Sequence, residues 1–112
     1  MGATVYVVTS EGLGRGDDAL GRRLMVKFLH QLTGLPEHPQ AVVFYNAGVK
    51  LLLRTSPAIE AIKTVEAEGV EVIACGTCVE RFGILDQLGA GRVSDMREIV
   101  TTMDRASKVV TV

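Results

Sequence analysis

The chain has 112 residues, 47% of them apolar, with two cysteines, no tryptophan and a formal net charge of -1. That length and apolar content fit a single domain, residues 1–112, with a real core. The basic residues are scattered, which argues against nucleic acid, and no apolar stretch is long enough to span a bilayer.

The N-terminus, "MGATVYVVTSEG", has neither the basic segment nor the long apolar run of a secretion signal, and Tyr6 stands where a myristoylation signal requires Ser or Thr. A soluble cytoplasmic protein with reduced cysteines is expected.

The β-branched run Ala3–Ser10 predicts a buried strand that feeds the glycine-rich loop "EGLGRGDD". From Asp17 onward, Leu20, Leu24, Met25, Phe28, Leu29 and Leu32 recur at helical spacing, Asp17 or Asp18 is a candidate cap, and Gly34 with Pro36 closes the helix. A second strand is predicted over Gln40–Asn46. The apolar "AGVKLLLRTSP" that follows fits either a short helix or a surface loop. Pro57 opens a helix that repeats Ile59, Ile62 and Val65 and stops at Gly69, directly before the strand "VEVIAC", Val70–Cys75. "CVERFGILDQLG" reads as a helix interrupted at Gly83. "RVS" is a short strand, "DMREIVTTMDRAS" a capped helix and "KVVTV" a last strand.

Strands and helices alternating in this way bury best as a mainly parallel sheet of about five strands covered on both faces. The fold class is therefore α/β, a three-layer α/β/α domain. In such sheets ligands gather at the carboxyl ends of the strands. The loops concerned are Ser10–Asp17, Asn46–Lys50, Cys75–Cys78 and Ser94–Met96.

"GRGDDA" fits the dinucleotide fingerprint formally, yet Asp17 and Asp18 put carboxylates where a pyrophosphate would approach. Glycines for a tight turn and an aspartate cap explain the loop without a ligand. His30 and His38 lack the spacing and number for zinc beside two cysteines, so neither a metal nor an organic cofactor is expected.

The cysteines stand out. Cys75 ends a predicted buried strand, Gly76 supplies backbone freedom, Thr77 is a candidate cap, and Cys78 falls by the first turn of the next helix, where amides and the helix dipole favour a thiolate. C-x-x-C spacing also lets the two sulfurs meet. The competing reading is two small buried residues. Asn46 could orient a substrate and Lys50 or Arg15 could stabilise a thiolate, although both cations also suit a solvated surface.

Four motifs in order, "GRGDDALGRRLM", "VVFYNAGVKL", "VEVIACGTCVERFGI" and "GRVSDMREIV", resemble the DsrE/DsrF-like family, in particular the C-terminal domain of YedF-type proteins, described as sulfurtransferase-like and associated with selenium metabolism. The resemblance covers nearly the whole chain. It implies a DsrE/F-like α/β/α fold, homo- or hetero-oligomers and intracellular sulfur handling. Counting back from Gly83, it makes Cys75 the persulfide carrier and Cys78 its resolving partner, whereas the helix-terminus argument makes Cys78 the more acidic thiol. YedF-type proteins usually begin with a TusA-like domain, and this chain starts at the DsrE-like first strand. The expected sulfur donor and acceptor are therefore other proteins, one of them TusA-like, with "AGVKLLLR" as a contact surface.

The leading expectation is a sulfurtransferase-like relay protein that carries a persulfide at the Cys75-Gly-Thr-Cys78 loop. Asn46, Lys50, Gly76, Thr77, Arg15 and Asp17 are the expected lining. The alternatives are a thiol-disulfide switch of the same two cysteines and a non-catalytic oligomeric binding subunit.

Overall fold

Five short strands, β1 (Thr4–Val8), β2 (Ala41–Phe44), β3 (Glu71–Cys75), β4 (Arg92–Ser94) and β5 (Lys108–Thr111), form one sheet in the order β4-β3-β2-β1-β5. Every pairing is parallel. The computed structural model describes residues 3–112, so the first two residues of the expected non-acylated terminus lie outside it. Among the described residues no helix is long and apolar enough to cross a membrane.

The two-residue period of the strands sorts the core into two layers. Val8, Val42, Phe44, Val72 and Ala74 face one side, where they meet Met25, Leu29 and Leu32 of α1 (Asp18–Leu32) and Ile59, Ile62 and Val65 of α2 (Ile59–Ala67). Val5, Val7, Ala41, Val43, Ile73 and Cys75 face the other side, closed by Ile99 of α4 (Met96–Arg105). The second layer is thin. Ile99 is the one fully buried residue of α4, while Met96 and Val100 remain exposed.

Local chemistry fixes the helix ends. Asp17 caps α1 by accepting from the Leu20 amide at 3.0 Å, and Asp95 caps α4 by accepting from the Glu98 amide at 2.9 Å. The helix α3 (Gly76–Phe82) starts two residues earlier than the cysteine spacing suggests and stops at Gly83, whose φ of 65° is left-handed. Pro57 lies just ahead of α2, with Ala58 in the cap position.

The segment "AGVKLLLR", expected at a contact surface, is instead largely interior. Asn46–Leu52 forms a 3₁₀ helix in which Gly48, Val49, Leu51 and Leu52 are buried. The tight helix turns Val49, Leu51 and Leu52 into the core layer shared with α1 and α2, while Leu53 is half-buried beside it. Gly48 permits the approach: a Cβ there would lie 2.3 Å from the Val8 carbonyl oxygen. Gly48→Ala should therefore push the segment off β1 and cost about 1–3 kcal/mol of stability, read by urea unfolding. An unchanged midpoint would mean that the segment moves freely.

β4 is held by charge as well as by its ladder. Arg92 donates to Glu71 Oε1 from Nη2 at 2.7 Å and to Glu98 Oε1 from Nη1 at 2.9 Å, and the Ser94 hydroxyl donates to Glu98 as well. One guanidinium thus ties β3, β4 and α4 together. Arg92, with help from Ser94, holds the Glu98 carboxyl at about 2, below its ordinary 4.5. A depressed carboxylate pKa adds stability that is complete above the unfolded value and is lost as pH falls through the folded one. Stability should thus decline between 4.5 and about 2 in the native chain, and this part of the decline should shrink in Arg92→Met, where Ser94 alone still donates to Glu98. Denaturant midpoints of the two proteins across that range test this.

Candidate functional site

The carboxyl ends of β2 and β3 bring Tyr45, Asn46, Cys75 and Cys78 together. Cys75 is the last residue of β3 and takes the cap position of α3 without a side-chain capping bond. Its pleat direction sends the side chain into the α4 layer, where only 2% of the residue is exposed. Cys78, in the first turn of α3, is half-buried and packs against both layers. Both thiols are free. The two side chains pack in the same cluster beneath α4.

The main chain supplies the best-defined contact in the site. The Asn46 backbone N–H donates to Cys78 Sγ at 3.0 Å across 32 residues of sequence. Asn46 has φ of 53°, the one left-handed non-glycine residue among the described residues. Asparagine tolerates that region better than most side chains. The sequence points to Asn46 as a side-chain ligand, yet the atom on sulfur is its amide nitrogen. The only signal for this was an Asn at a strand end, which marks a turn but not where its N–H points.

Burial pushes the Cys78 thiol above its ordinary proton affinity, the Asn46 amide pulls it down, and the neighbouring Cys75 raises it further. The thiol is thus less acidic than a free one, contrary to the helix-terminus expectation. The dipole of a helix of seven residues acts on a sulfur that the core has partly desolvated, and desolvation is the larger effect.

The remaining expected site residues occupy different surroundings. Thr77 is exposed inside α3 and does not cap it, because the helix already begins at Gly76. Gly76 serves close packing more than backbone freedom: a Cβ there would meet the Ser94 carbonyl oxygen at 3.0 Å and Val93 Cγ1 at 3.2 Å. The Lys50 ammonium stands 4.4 Å over the Phe82 ring and is not among the groups that shift Cys78. Arg15 is exposed between Gly14 and Gly16, whose φ values of 81° and 121° make the turn, and it has no hydrogen bond or ion pair among the described residues. Asp17 is engaged by its cap. Among the described residues no three His, Cys, Asp or Glu side chains converge as a metal set would.

A profile of the DsrE/DsrF-like family matches residues 3–112. The chain belongs to the DsrE/DsrF-like family. Members of this family are associated with sulfur relay. The fold resembles that of the ychN protein of E. coli at a TM-score of 0.71 and 21% identity, covering 100% of both chains. It also resembles MTH1491 of Methanobacterium thermoautotrophicum, described as a protein of unknown function, at 0.71 and 22% identity over 97% of each chain. BT1422 of Bacteroides thetaiotaomicron matches at 0.66 and 14% identity, over 98% of this chain and 95% of its own. At these identities the likeness establishes the fold alone. No curated protein matches the chain.

The difference in exposure gives a direct prediction. Iodoacetamide on the native protein should modify Cys78 and spare Cys75, with a rate-versus-pH midpoint above the value of about 8.5 typical of a free thiol. Peptide mapping of the alkylated protein reads both points, and equal labelling of the two cysteines would contradict this geometry.

Proposed function

We propose that this protein is a sulfur-relay carrier in which Cys78 takes up and passes on sulfane sulfur while Cys75 backs it from the core. One observation carries the reading: of two adjacent free thiols at the end of β3, one is accessible and has a main-chain donor on its sulfur, and the other is buried. This reverses the order suggested by family resemblance, which favours Cys75 as the carrier. A donor protein's persulfide must reach the thiol it loads, and Cys75 at 2% exposure offers no such contact.

In the loading step the Cys78 thiolate attacks the outer sulfur of the donor persulfide. The Cys78–S bond forms, the donor S–S bond breaks, and its electron pair leaves with the donor thiolate. An acceptor thiolate then repeats the exchange on the new persulfide. The burial of Cys75 in the layer under α4 supports this sequence, because it leaves Cys78 as the sulfur that an acceptor thiol can approach. The donor and acceptor are thiol proteins, and no cofactor is needed.

The thiol-disulfide switch is a second reading, favoured by two free cysteines that pack in one cluster. In it, a partner disulfide oxidises the pair by two exchanges and leaves as a dithiol. Mass spectrometry of the intact protein, after incubation with a cysteine desulfurase and cysteine, separates the two readings. The relay predicts a gain of one sulfur atom in the wild type and in Cys75→Ser, and no gain in Cys78→Ser. A wild type that takes up no sulfur but loses two hydrogens to a disulfide partner would favour the switch.

A further inference from the structure

We infer that the Asn46 backbone amide is a discharging device: it stabilises Cys78 Sγ as the leaving thiolate, so the site is built to hand sulfur on and not to store it. The inference rests on the relay reading above. Its starting point is the atom to which the donor points. In a persulfide the acidic proton, and after ionisation the negative charge, belong to the outer sulfur, while Sγ is a neutral divalent sulfur and a weak acceptor. After transfer the charge sits on Sγ itself. A donor fixed on Sγ at 3.0 Å therefore interacts more strongly with the discharged state than with the loaded one.

The amide is fixed in advance. Tyr45 donates its N–H to the Val8 carbonyl at 3.2 Å, and the Gly48 N–H closes back on the Tyr45 carbonyl at 3.1 Å. With Gly48 wedged against Val8, Asn46 is held between two anchored residues in a left-handed conformation. Such a conformation carries strain that persists only when its surroundings impose it. A donor oriented beforehand toward developing charge needs no reorganisation when the charge appears, which is how main-chain amides stabilise oxyanions in acyl transfer. Here the leaving atom is sulfur.

Cyanide makes the step measurable in the full chain. It attacks the outer sulfur of a Cys78 persulfide loaded from inorganic polysulfide, thiocyanate is released, and the electron pair of the broken S–S bond returns to Sγ. Asn46→Gly keeps both the left-handed backbone and the amide, and should match the wild type within about twofold. Asn46→Val, whose β-branched side chain disfavours φ above zero, should turn the amide away and slow thiocyanate release about tenfold, the size of one charge-assisted hydrogen bond. Its Cys78 alkylation midpoint should rise by about one pH unit, and Asn46→Ala should fall between the two. Unchanged cyanolysis and alkylation in both Asn46→Val and Asn46→Ala would overturn the inference. So would an Asn46→Gly variant as slow as Asn46→Val, since the side chain would then be the active group. Failure of the wild type to load sulfur on Cys78 would overturn the relay reading instead, and the alkylation midpoints would still decide whether the amide stabilises the thiolate.

Discussion

The two-residue alternation of β1, β2 and β3 is the constraint on which the molecule depends. A parallel sheet must bury both faces, and these strands supply apolar side chains to both, so Tyr6 and Val8 turn toward α1 while Val5 and Val7 turn toward α4. Cys75 belongs to the second set by position alone, two residues beyond Ile73. Its burial follows from the sheet. The chain then turns directly into α3, and within three residues the next cysteine has emerged at the rim of both layers. The chemical difference between two cysteines of the same type is thus a consequence of pleat and helix geometry.

A substantial part of this architecture is legible in the sequence. Short β-branched runs alternate with amphipathic stretches, aspartates precede α1 and α4 in capping position, and Gly83 ends α3, because each depends on neighbours within a few residues. The misreadings share the opposite cause. "AGVKLLLR" reads as surface in isolation, and its interior position depends on Gly48 meeting Val8, forty residues away. The local helix taken alone implies an acidic Cys78, whereas desolvation by burial dominates. Arg92 binds partners 21 residues before it and six after it, across two other elements, and nothing in "GRVSDMRE" announces that arrangement.

The candidate site itself divides along the same line. C-x-x-C spacing at a predicted strand end is readable and locates both sulfurs. The decisive contact is a main-chain N–H, and an amide has no residue identity to be read. Polar side chains selected for the site, such as Thr77, Lys50 and Arg15, are exposed or engaged elsewhere. Sites built on backbone atoms are encoded by whatever holds the backbone, here a glycine and two hydrogen bonds in a neighbouring segment.

The clamp at Arg92 has a consequence for the second sulfur. β4 is a three-residue edge strand, and α4 anchors itself to the sheet through one fully buried side chain. Local opening free energies follow such differences in buried contact, so this corner should fray well before the central strands exchange their amide protons. An excursion of α4 would uncover Cys75 while β1, β2 and β3 stayed paired. The reactivity of the buried thiol is then a matter of fluctuation, set by how often the corner opens, and one guanidinium helps to set that frequency.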